Sequence, residues 1–199
     1  MLTREYTPVS EEEYLRLEAQ SPIRHEYVDG ETFAMTGGTL RHNTIALNIA
    51  AALHTHLRSS PCRAFINDVR VRVRRLNAYY YPDVLVSCGP HAQGLDAESS
   101  TVEDPVLVVE VLSVNTEATD RREKLLAYRA LPSLVEYVLV SQDQARIEIY
   151  RRRGEISWER LEYSGAEPVH LASVELTLHM KEIYEGVPME AAAGPPSER

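Results

Sequence analysis

The sequence predicts one mixed α/β domain of the α+β type, with a central mixed β-sheet flanked by helices. Between residues 39 and 58, apolar residues recur at spacings of three and four, as in a helix that is buried on one side. The segment PVLVVEVLS at 105–113 is a nearly continuous apolar run, which is typical of a strand buried on both faces. A second helical stretch at 116–130 and further extended segments follow it.

Local signals place the first elements of the chain. Ser10 followed by Glu13 is the S-x-x-E capping pattern of a short helix, which we expect to end near residue 19. The dipeptide Asp29-Gly30 lies between two extended arms and favours a tight hairpin turn. Thr39 follows a Gly-Gly pair and can cap the longer helix, which we expect to end near residue 58.

Two strands are predicted in the middle of the chain. Residues 63–74 alternate between apolar and charged side chains, so one face carries valines and the other carries arginines. The valines are Val69, Val71 and Val73, and the arginines are Arg70, Arg72 and Arg74. The segment YYYPDVLVS at 79–87 predicts the next strand, and the polar residues 89–104 predict a loop before the buried strand at 105–112.

The C-terminal part of the chain predicts strands at 135–141, 145–151 and 156–163, followed by one or two further elements. We find no internal repeat and no interior linker, so a single domain at 1–188 is the simplest interpretation. The tail at 189–199 is predicted to be disordered, because it is short, terminal and rich in small residues and proline.

Composition limits the classes of function. The net charge of −9 does not fit a protein that coats nucleic acid through bulk basicity. The acidity is concentrated in residues 154–199, whereas residues 62–88 carry five arginines against two aspartates. No apolar stretch is long enough to span a membrane and no signal-peptide pattern is present, so we expect a cytoplasmic protein. Cys62 and Cys88 lack CxxC spacing and are predicted to be reduced, buried thiols.

Two carboxylates in apolar surroundings are the main chemical signal. Glu110 lies inside the apolar run, where an unpaired ion would cost on the order of several kcal/mol. Asp83 precedes another apolar run, so the two carboxylates converge if the strands 79–87 and 105–112 are neighbours. Hard oxygen ligands of this kind suit Mg²⁺ or Mn²⁺, which can activate water and offset the charge of a phosphoryl group.

The order of these acids resembles the PD-(D/E)XK nuclease superfamily. Pro82-Asp83 is followed, on the next core strand, by Glu110-Val111-Leu112. The resemblance implies a restriction-endonuclease-like fold in which Asp83 and Glu110 bind the metal, with the carbonyl of Val111 as a further ligand. It also implies a lysine two residues after the acid, and this sequence has Leu112 there.

Lys124 can replace the missing lysine. Asp120 and Lys124 are four residues apart on one face of the predicted helix, and some branches of the superfamily carry the lysine on this helix. With that replacement, the resemblance assigns catalysis to Asp83, Glu110 and Lys124. The alternative is that Lys124 only forms an exposed helical ion pair with Asp120.

A longer resemblance covers residues from about 9 to 184, and it is to the Uma-two family of restriction endonucleases within that superfamily. It rests on the segments HEYVDGETFAM, GGTLRHNTIALNIAAAL and EVLSVNTEATDRREKLLAYRALPSLVEYVLV. The family resemblance adds Glu26 and His42 as accessory site residues beside Asp120. Because superfamily members that cut both strands usually act as two-fold dimers, it also implies a homodimer.

Two functions of different classes fit this site. The first is a metal-dependent endonuclease that hydrolyses DNA, in which Lys124 orients or deprotonates the attacking water. The second is a catalytically inactive protein of the same fold that binds nucleic acid or a protein partner, as Leu112 and the acidic net charge suggest. Arg70, Arg72 and Arg74 either follow a DNA backbone or form a solvated face of the sheet.

Overall fold

Two mixed β-sheets and a small hairpin organise the described part of the chain. The computed structural model describes residues 8–35, 37–90, 92–94, 98–114 and 116–188. The strands are β1 (His25–Val28), β2 (Glu31–Ala34), β3 (Arg63–Ile66), β4 (Arg70–Val73), β5 (Ala78–Tyr80), β6 (Val84–Ser87), β7 (Thr101–Val102), β8 (Pro105–Leu112), β9 (Glu136–Ser141), β10 (Arg146–Arg152), β11 (Trp158–Ser164), β12 (Val169–Leu171) and β13 (Leu176–Leu178). The helices are α1 (Glu11–Glu18), α2 (Leu40–His56), α3 (Glu117–Thr119), α4 (Leu125–Arg129) and α5 (Met180–Ile183), with 3-10 turns at Leu57–Ser59 and Arg74–Leu76 and a π turn at Asp120–Lys124.

The larger sheet has six strands in the order β11-β10-β9-β8-β6-β3. Strands β8 and β9 are parallel, and the helical segment from α3 to α4 forms the crossover between them. The second sheet has the order β2-β1-β5-β4-β7, and β12 pairs with β13. This arrangement of mixed sheets and helices confirms the predicted mixed α/β class.

The capping and turn signals at the start of the chain are confirmed. Ser10 Oγ accepts a hydrogen bond from the backbone N–H of Glu13 at 3.2 Å, and α1 begins at the next residue. Thr39 Oγ1 accepts one from the backbone N–H of His42 at 3.1 Å, at the start of α2. Asp29 has a φ of 45°, the left-handed conformation that the two-residue turn between β1 and β2 requires.

Both predicted middle strands are divided between the two sheets, which corrects the prediction of continuous strands at 63–74 and 79–87. The first divides into β3 and β4 near Asn67, whose φ of 48° is left-handed. The second divides into β5 and β6 at Pro82-Asp83. Strand β3 pairs with β6 in the larger sheet, and β4 pairs with β5 in the second sheet. Asp83 therefore lies where the chain passes from one sheet to the other.

Side chains of the larger sheet alternate between two apolar layers. Val109 and Val111 of β8 belong to the layer that packs against α2. Val108 and Leu112 belong to the opposite layer, which packs against α4 and the second sheet. Glu110 shares the face of Val108 and Leu112, because alternate residues of a strand point the same way. Its carboxylate therefore points toward the crossover helix.

The two cysteines form a disulfide, which corrects the prediction of reduced thiols. Arg63 of β3 pairs with Ser87 of β6 in an antiparallel register. Cys62 and Cys88 are each one residue further out, so they face each other with their Cα atoms 4.0 Å apart. Their separation of 26 residues in sequence gave no sign of this contact, because the contact depends on strand pairing.

Smaller differences concern the connections. The predicted loop at 89–104 contains β7, which pairs in parallel with β4. Three elements, β12, β13 and α5, follow β11, where one or two were expected. Within the described ranges, none of the helices is both long enough and apolar enough to cross a membrane. The predicted tail at 189–199 lies outside the described residues.

Candidate active site

Asp83 forms one half of the site, at the crossing between the sheets. Its Oδ2 atom accepts the backbone N–H of Val111 in the adjacent strand β8 at 2.7 Å. His42 Nε2, from the first turn of α2, lies 3.2 Å from the same oxygen. The hydrogen bond to Asp83 is the main cause that raises the pKa of His42, and the Val111 backbone contributes to the same shift. Asp83 is thus held in place by groups from β8 and α2.

Glu110 forms the other half, inside the apolar layer that faces α4. Its Oε1 atom accepts hydrogen bonds from Lys124 Nζ and from the Tyr128 hydroxyl, each at 3.2 Å. Burial raises the pKa of Glu110 well above its usual range. The Lys124 ammonium opposes this shift, whereas the neighbouring carboxylates, Asp120 first among them, add to it. Burial thus works against the ionised form of Glu110, and the Lys124 ammonium works for it.

Lys124 is the cation at the centre of the cluster, and it is 5% exposed. Its Nζ atom lies 2.8 Å from Glu26 Oε1, 3.2 Å from Glu110 Oε1 and 3.3 Å from Asp120 Oδ1. Burial alone lowers the pKa of Lys124, but the carboxylates of Glu110, Glu26 and Asp120 outweigh it and raise the pKa well above its usual value. Lys124 is therefore a stable ammonium ion at neutral pH.

The π turn at Asp120–Lys124 places both of its end residues against the sheet. A π turn accommodates one more residue than an ordinary helical turn, and such turns are frequent at functional sites. Asp120 is buried, and its Oδ1 atom makes no hydrogen bond of good geometry within the described structure. Burial raises the pKa of Asp120, while Lys124 lowers it. The Oδ1 atom of Asp120 thus has the Lys124 ammonium as its neighbour at 3.3 Å but no well-directed hydrogen bond.

The site contains more carboxylates than cations. Its carboxylates are Glu26, Asp83, Glu110 and Asp120, and its cations are Lys124 and, when protonated, His42. Buried negative charge in excess of its partners costs on the order of several kcal/mol per ion, so protons or a further cation must compensate it. Among the described residues, no three His, Cys, Asp or Glu side chains form a ready metal-binding group. A cation here would need backbone, water or substrate oxygens as well, and Mg²⁺ accepts such ligands.

The structure brings the predicted site residues together in one cleft of about 480 Å³. The predicted residues in its lining are His42, Asp83, Glu110, Val111, Asp120 and Lys124. Glu26 is on β1, in an adjoining pocket, and reaches the cleft through Lys124. Much of the remaining lining is neutral and polar, including Asn43, Asn67, Ser113 and Gln142. Arg24, the other lining cation, pairs with Asp68 at 3.0 Å.

The predicted arginine face of β4 lies outside this cleft and is paired internally. Arg72 forms ion pairs with Glu11 and Glu103. Arg74, which lies in the 3-10 turn that follows β4, also pairs with Glu103. Arg70 donates to Thr101 Oγ1 at 2.8 Å and to the Tyr81 hydroxyl at 3.2 Å. These partners hold the arginines against neighbouring elements, so the face is not a line of free positive charge.

Tyr128 is a site residue that the sequence analysis missed. Its hydroxyl donates to Glu110, and its ring is fully buried between the helix and the larger sheet. It follows Lys124 by four residues on the same helical face, and that spacing is the signal that could have identified it. Tyr81 was missed as well, and its backbone N–H donates to Glu26 Oε1 at 3.3 Å.

Fold and site together define a mixed α/β protein whose carboxylate–lysine cleft lies at the junction of two sheets. The same fold is found in the crystal structure of a protein from Anabaena variabilis described as "a putative nuclease belonging to DUF820". The two structures superimpose with a TM-score of 0.71, over 89% of this chain and 98% of that one, at 17% sequence identity.

The chain belongs to the Uma2 family. The family model, described as "Putative restriction endonuclease", matches residues 11–181. The chain is similar to an uncharacterized protein of Synechocystis sp., with 34% identity over 183 residues, which are 92% of this chain and 94% of that protein. A second uncharacterized protein of the same organism is 31% identical over 153 residues, with 77% and 86% covered. The family resemblance in the sequence is thereby confirmed.

Proposed function

We propose that the protein is an endonuclease that hydrolyses phosphodiester bonds of DNA with the help of a divalent metal ion. The contact of Lys124 Nζ with Glu110 Oε1 at 3.2 Å carries the proposal. Leu112 fills the strand position where a lysine is expected, and the crossover helix supplies an ammonium to the same carboxylate instead. A lysine that only formed a surface ion pair on the helix would extend into solvent, whereas Lys124 is buried.

Asp83, Glu110 and the carbonyl of Val111 are the groups that we propose to hold Mg²⁺ or Mn²⁺. The excess of carboxylates over cations supports a hard divalent ion at this position. When bound, such an ion would activate water and offset negative charge on the transferred phosphoryl group. The Val111 backbone N–H and His42 already fix the orientation of the Asp83 carboxylate.

Lys124 would act as a fixed positive charge beside the reacting phosphate. Its raised pKa favours this role over that of a base, because a base must give up its proton near neutral pH. A charge that is already in place stabilises the transition state without reorganisation. Glu26 and Asp120 hold the ammonium on two further sides. We also propose a two-fold dimer, by analogy with nucleases that cut both strands.

A cleavage assay with matched lysine variants tests this function. Lys124 and Lys181 are the two lysines of the sequence, and Lys181 is exposed on α5. With Mg²⁺ or Mn²⁺, Lys124→Met should lose cleavage of plasmid and single-stranded DNA by about 100- to 1,000-fold, as for other preorganised charges. Lys181→Met should cut like the wild type.

Two outcomes would count against the enzyme. Full activity of Lys124→Met would remove the lysine from the mechanism. No cleavage by the wild-type protein with either metal would favour the catalytically inactive alternative, which Leu112 in the expected lysine position and the net charge of −9 also support.

A further inference from the structure

A groove beside the C-terminal end of α4 contains arginines that differ from those of β4. It has a volume of about 770 Å³ and lies between the 3-10 turn Arg74–Leu76, α4 and the β10–β11 hairpin. The charged residues of its lining are Arg75, Arg129, Arg152 and Glu155. We call it the Arg75–Arg129 groove.

The three arginines form no ion pair with a carboxylate within the described residues. Arg151, the neighbour of Arg152 in sequence, pairs with Glu136 at 2.7 Å. Arg129 and Arg152 instead lie over the ring of Trp158, at 5.5 and 4.5 Å from its centre. Burial, and then the charge of Arg129, lower the pKa of Arg152. Two guanidinium ions thus contact one indole ring, and neither forms an ion pair with a described carboxylate.

Arg152 has a structural role in the groove. Its guanidinium donates to the backbone carbonyls of Leu131 at 2.6 Å, Leu134 at 2.7 Å and Glu155 at 3.0 Å. It therefore satisfies carbonyls just beyond the end of α4, where helical donors are lacking. Because these bonds occupy Arg152, the guanidinium groups of Arg75 and Arg129 are the ones available to a ligand.

Large aliphatic side chains border these two arginines. Leu76, Leu126 and Ile156 are 41%, 66% and 90% exposed. Exposed apolar residues that cluster around a concave site are typical of interaction surfaces. A planar guanidinium binds phosphate oxygens through two donors at once, and adjacent apolar groups can pack against sugars and bases.

The candidate active site has little free charge with which to hold a polyanion. Lys124 is shared among three carboxylates, and Arg24 is paired with Asp68. Arg72 of β4 and Arg74 of the turn that follows it are paired with carboxylates as well, and Arg70 donates to Thr101 and Tyr81. If the cleft acts on a nucleic acid, affinity for the backbone must come from another surface, since phosphate contacts dominate such binding.

We propose that the Arg75–Arg129 groove binds the phosphodiester backbone of a nucleic acid strand whose neighbouring segment reaches the candidate active site. The identity of this ligand rests on the proposed nuclease function. Asp120 and Arg129 belong to one helical segment, and nine residues at about 1.5 Å each span roughly 13 Å. That length corresponds to about four phosphates at about 3.4 Å per nucleotide. An acidic peptide matches the charges as well, and the poly-glutamate titration described below distinguishes it from a nucleic acid.

The test measures binding without cleavage. Fluorescein-labelled 20-nucleotide DNA, single-stranded and duplex, is titrated in EDTA at several salt concentrations and followed by anisotropy. The protein is compared with the double variant Arg75→Gln/Arg129→Gln. Each lost phosphate contact should flatten the slope of log affinity against log salt by about 0.9 for duplex or 0.7 for single strands, so the double variant should lose about 1.4 to 1.8.

The matched control is Arg58→Gln/Arg63→Gln, which removes two exposed arginines outside the groove. Its slope should equal that of the wild type. Equal losses in both double variants, or no loss in either, would overturn the inference. So would a wild-type protein that binds neither DNA. Binding of poly-glutamate as tight as that of DNA, with the same loss in the groove variant, would assign the groove to an acidic protein partner.

These binding measurements, combined with the cleavage assay of the proposed function, separate this inference from that function. If the wild type cuts no DNA but the groove variant loses binding, the groove inference stands and the nuclease proposal fails. If the wild type cuts DNA and the groove variant binds with an unchanged slope, only the groove inference is lost.

Discussion

Lys124 Nζ lies 3.2 Å from Glu110 Oε1, although the two residues belong to different elements and are separated by 14 positions in sequence. The π turn that ends at Lys124 and the parallel crossover from β8 to β9 together make this contact. Both members of the pair are buried, and the pKa of each, the Glu110 carboxyl and the Lys124 ammonium, is raised above its usual value. Their shared environment determines the predictions below.

Replacing Glu110 with glutamine should stabilise the metal-free protein at neutral pH. Burial raises the pKa of Glu110 well above its usual value of 4.5, despite the opposing effect of Lys124. A carboxyl with a raised folded-state pKa contributes stability below its unfolded pKa, and that contribution is lost as the pH rises toward the folded value. Glu110→Gln cannot ionise, so its advantage over the wild type should grow as the pH rises above 4.5.

Urea unfolding from pH 4 to 8 in EDTA measures this difference. Glu31→Gln, on the exposed strand β2, is the control and should parallel the wild type. Parallel curves for Glu110→Gln and the wild type would show that Glu110 titrates alike in the folded and unfolded states.

Removal of the Asp83 carboxylate should abolish metal binding. In the proposed site, Asp83→Asn loses one of two carboxylate ligands, whereas Asp143→Asn changes an exposed aspartate that pairs with Arg41. Isothermal calorimetry with Mn²⁺ should detect one site per chain in the wild type and in Asp143→Asn. The ion should also stabilise the fold, by about 2.7 kcal/mol at a concentration one hundred times its Kd. Equal binding by Asp83→Asn would place the metal elsewhere.

Tyr128→Phe should weaken metal binding, because the Tyr128 hydroxyl donates a hydrogen bond to Glu110 and so orients this proposed metal ligand. Loss of such a supporting hydrogen bond typically costs about 10- to 100-fold in metal affinity. Tyr150→Phe is the matched control, since Tyr150 belongs to the same series of tyrosine rings but is remote from Glu110 in that series. Calorimetry should separate the two variants. If both variants bind Mn²⁺ like the wild type, the Tyr128 hydroxyl does not support the metal site.

Reduction of the Cys62–Cys88 disulfide should lower the stability of the fold. The bond closes a loop across 26 residues, and the chain-entropy model gives about 3.5 kcal/mol for a loop of this size. Thermal unfolding with and without dithiothreitol should show a lower Tm after reduction. Cys62→Ser/Cys88→Ser should match the reduced protein and be insensitive to the reductant. Alkylation of both thiols in the untreated, unfolded protein would show that the bond is absent.

The sequence predicted the strand that carries Glu110 better than the path of the chain between the sheets. The apolar run around Glu110 predicts a buried strand, because burial on both faces has a local signature. The divisions at Asn67 and Asp83 were not predicted, because strand-like patterns continue through both points and distant strands decide the pairing. The π turn was also missed, since the spacing of Asp120 and Lys124 fits an ordinary helix equally well.

Charge was harder still to interpret. The alternation at 70–74 predicts a common face for Arg70, Arg72 and Arg74, but the acidic partners of Arg72 and Arg74, which are Glu11 and Glu103, come from remote segments. Sequence spacing predicts the direction in which a side chain points, but it does not predict the charge of the residues that the side chain contacts. Arg75, one residue further on, had no special pattern, yet it lies in the groove with the unpaired arginines.

The passage of the chain between the sheets sets a limit on its length. Three residues, Tyr81, Pro82 and Asp83, connect β5 to β6. If one residue were added there and shifted the register of β6, its two faces would be exchanged. Leu85 would then pack against α2, and Val84 and Val86 would pack in the opposite layer, which contains the buried tyrosines. The connection from β6 to β7 is longer and comprises residues 88–100. We therefore expect relatives to vary in length after residue 88, and an inserted epitope tag to be accepted there but not between β5 and β6.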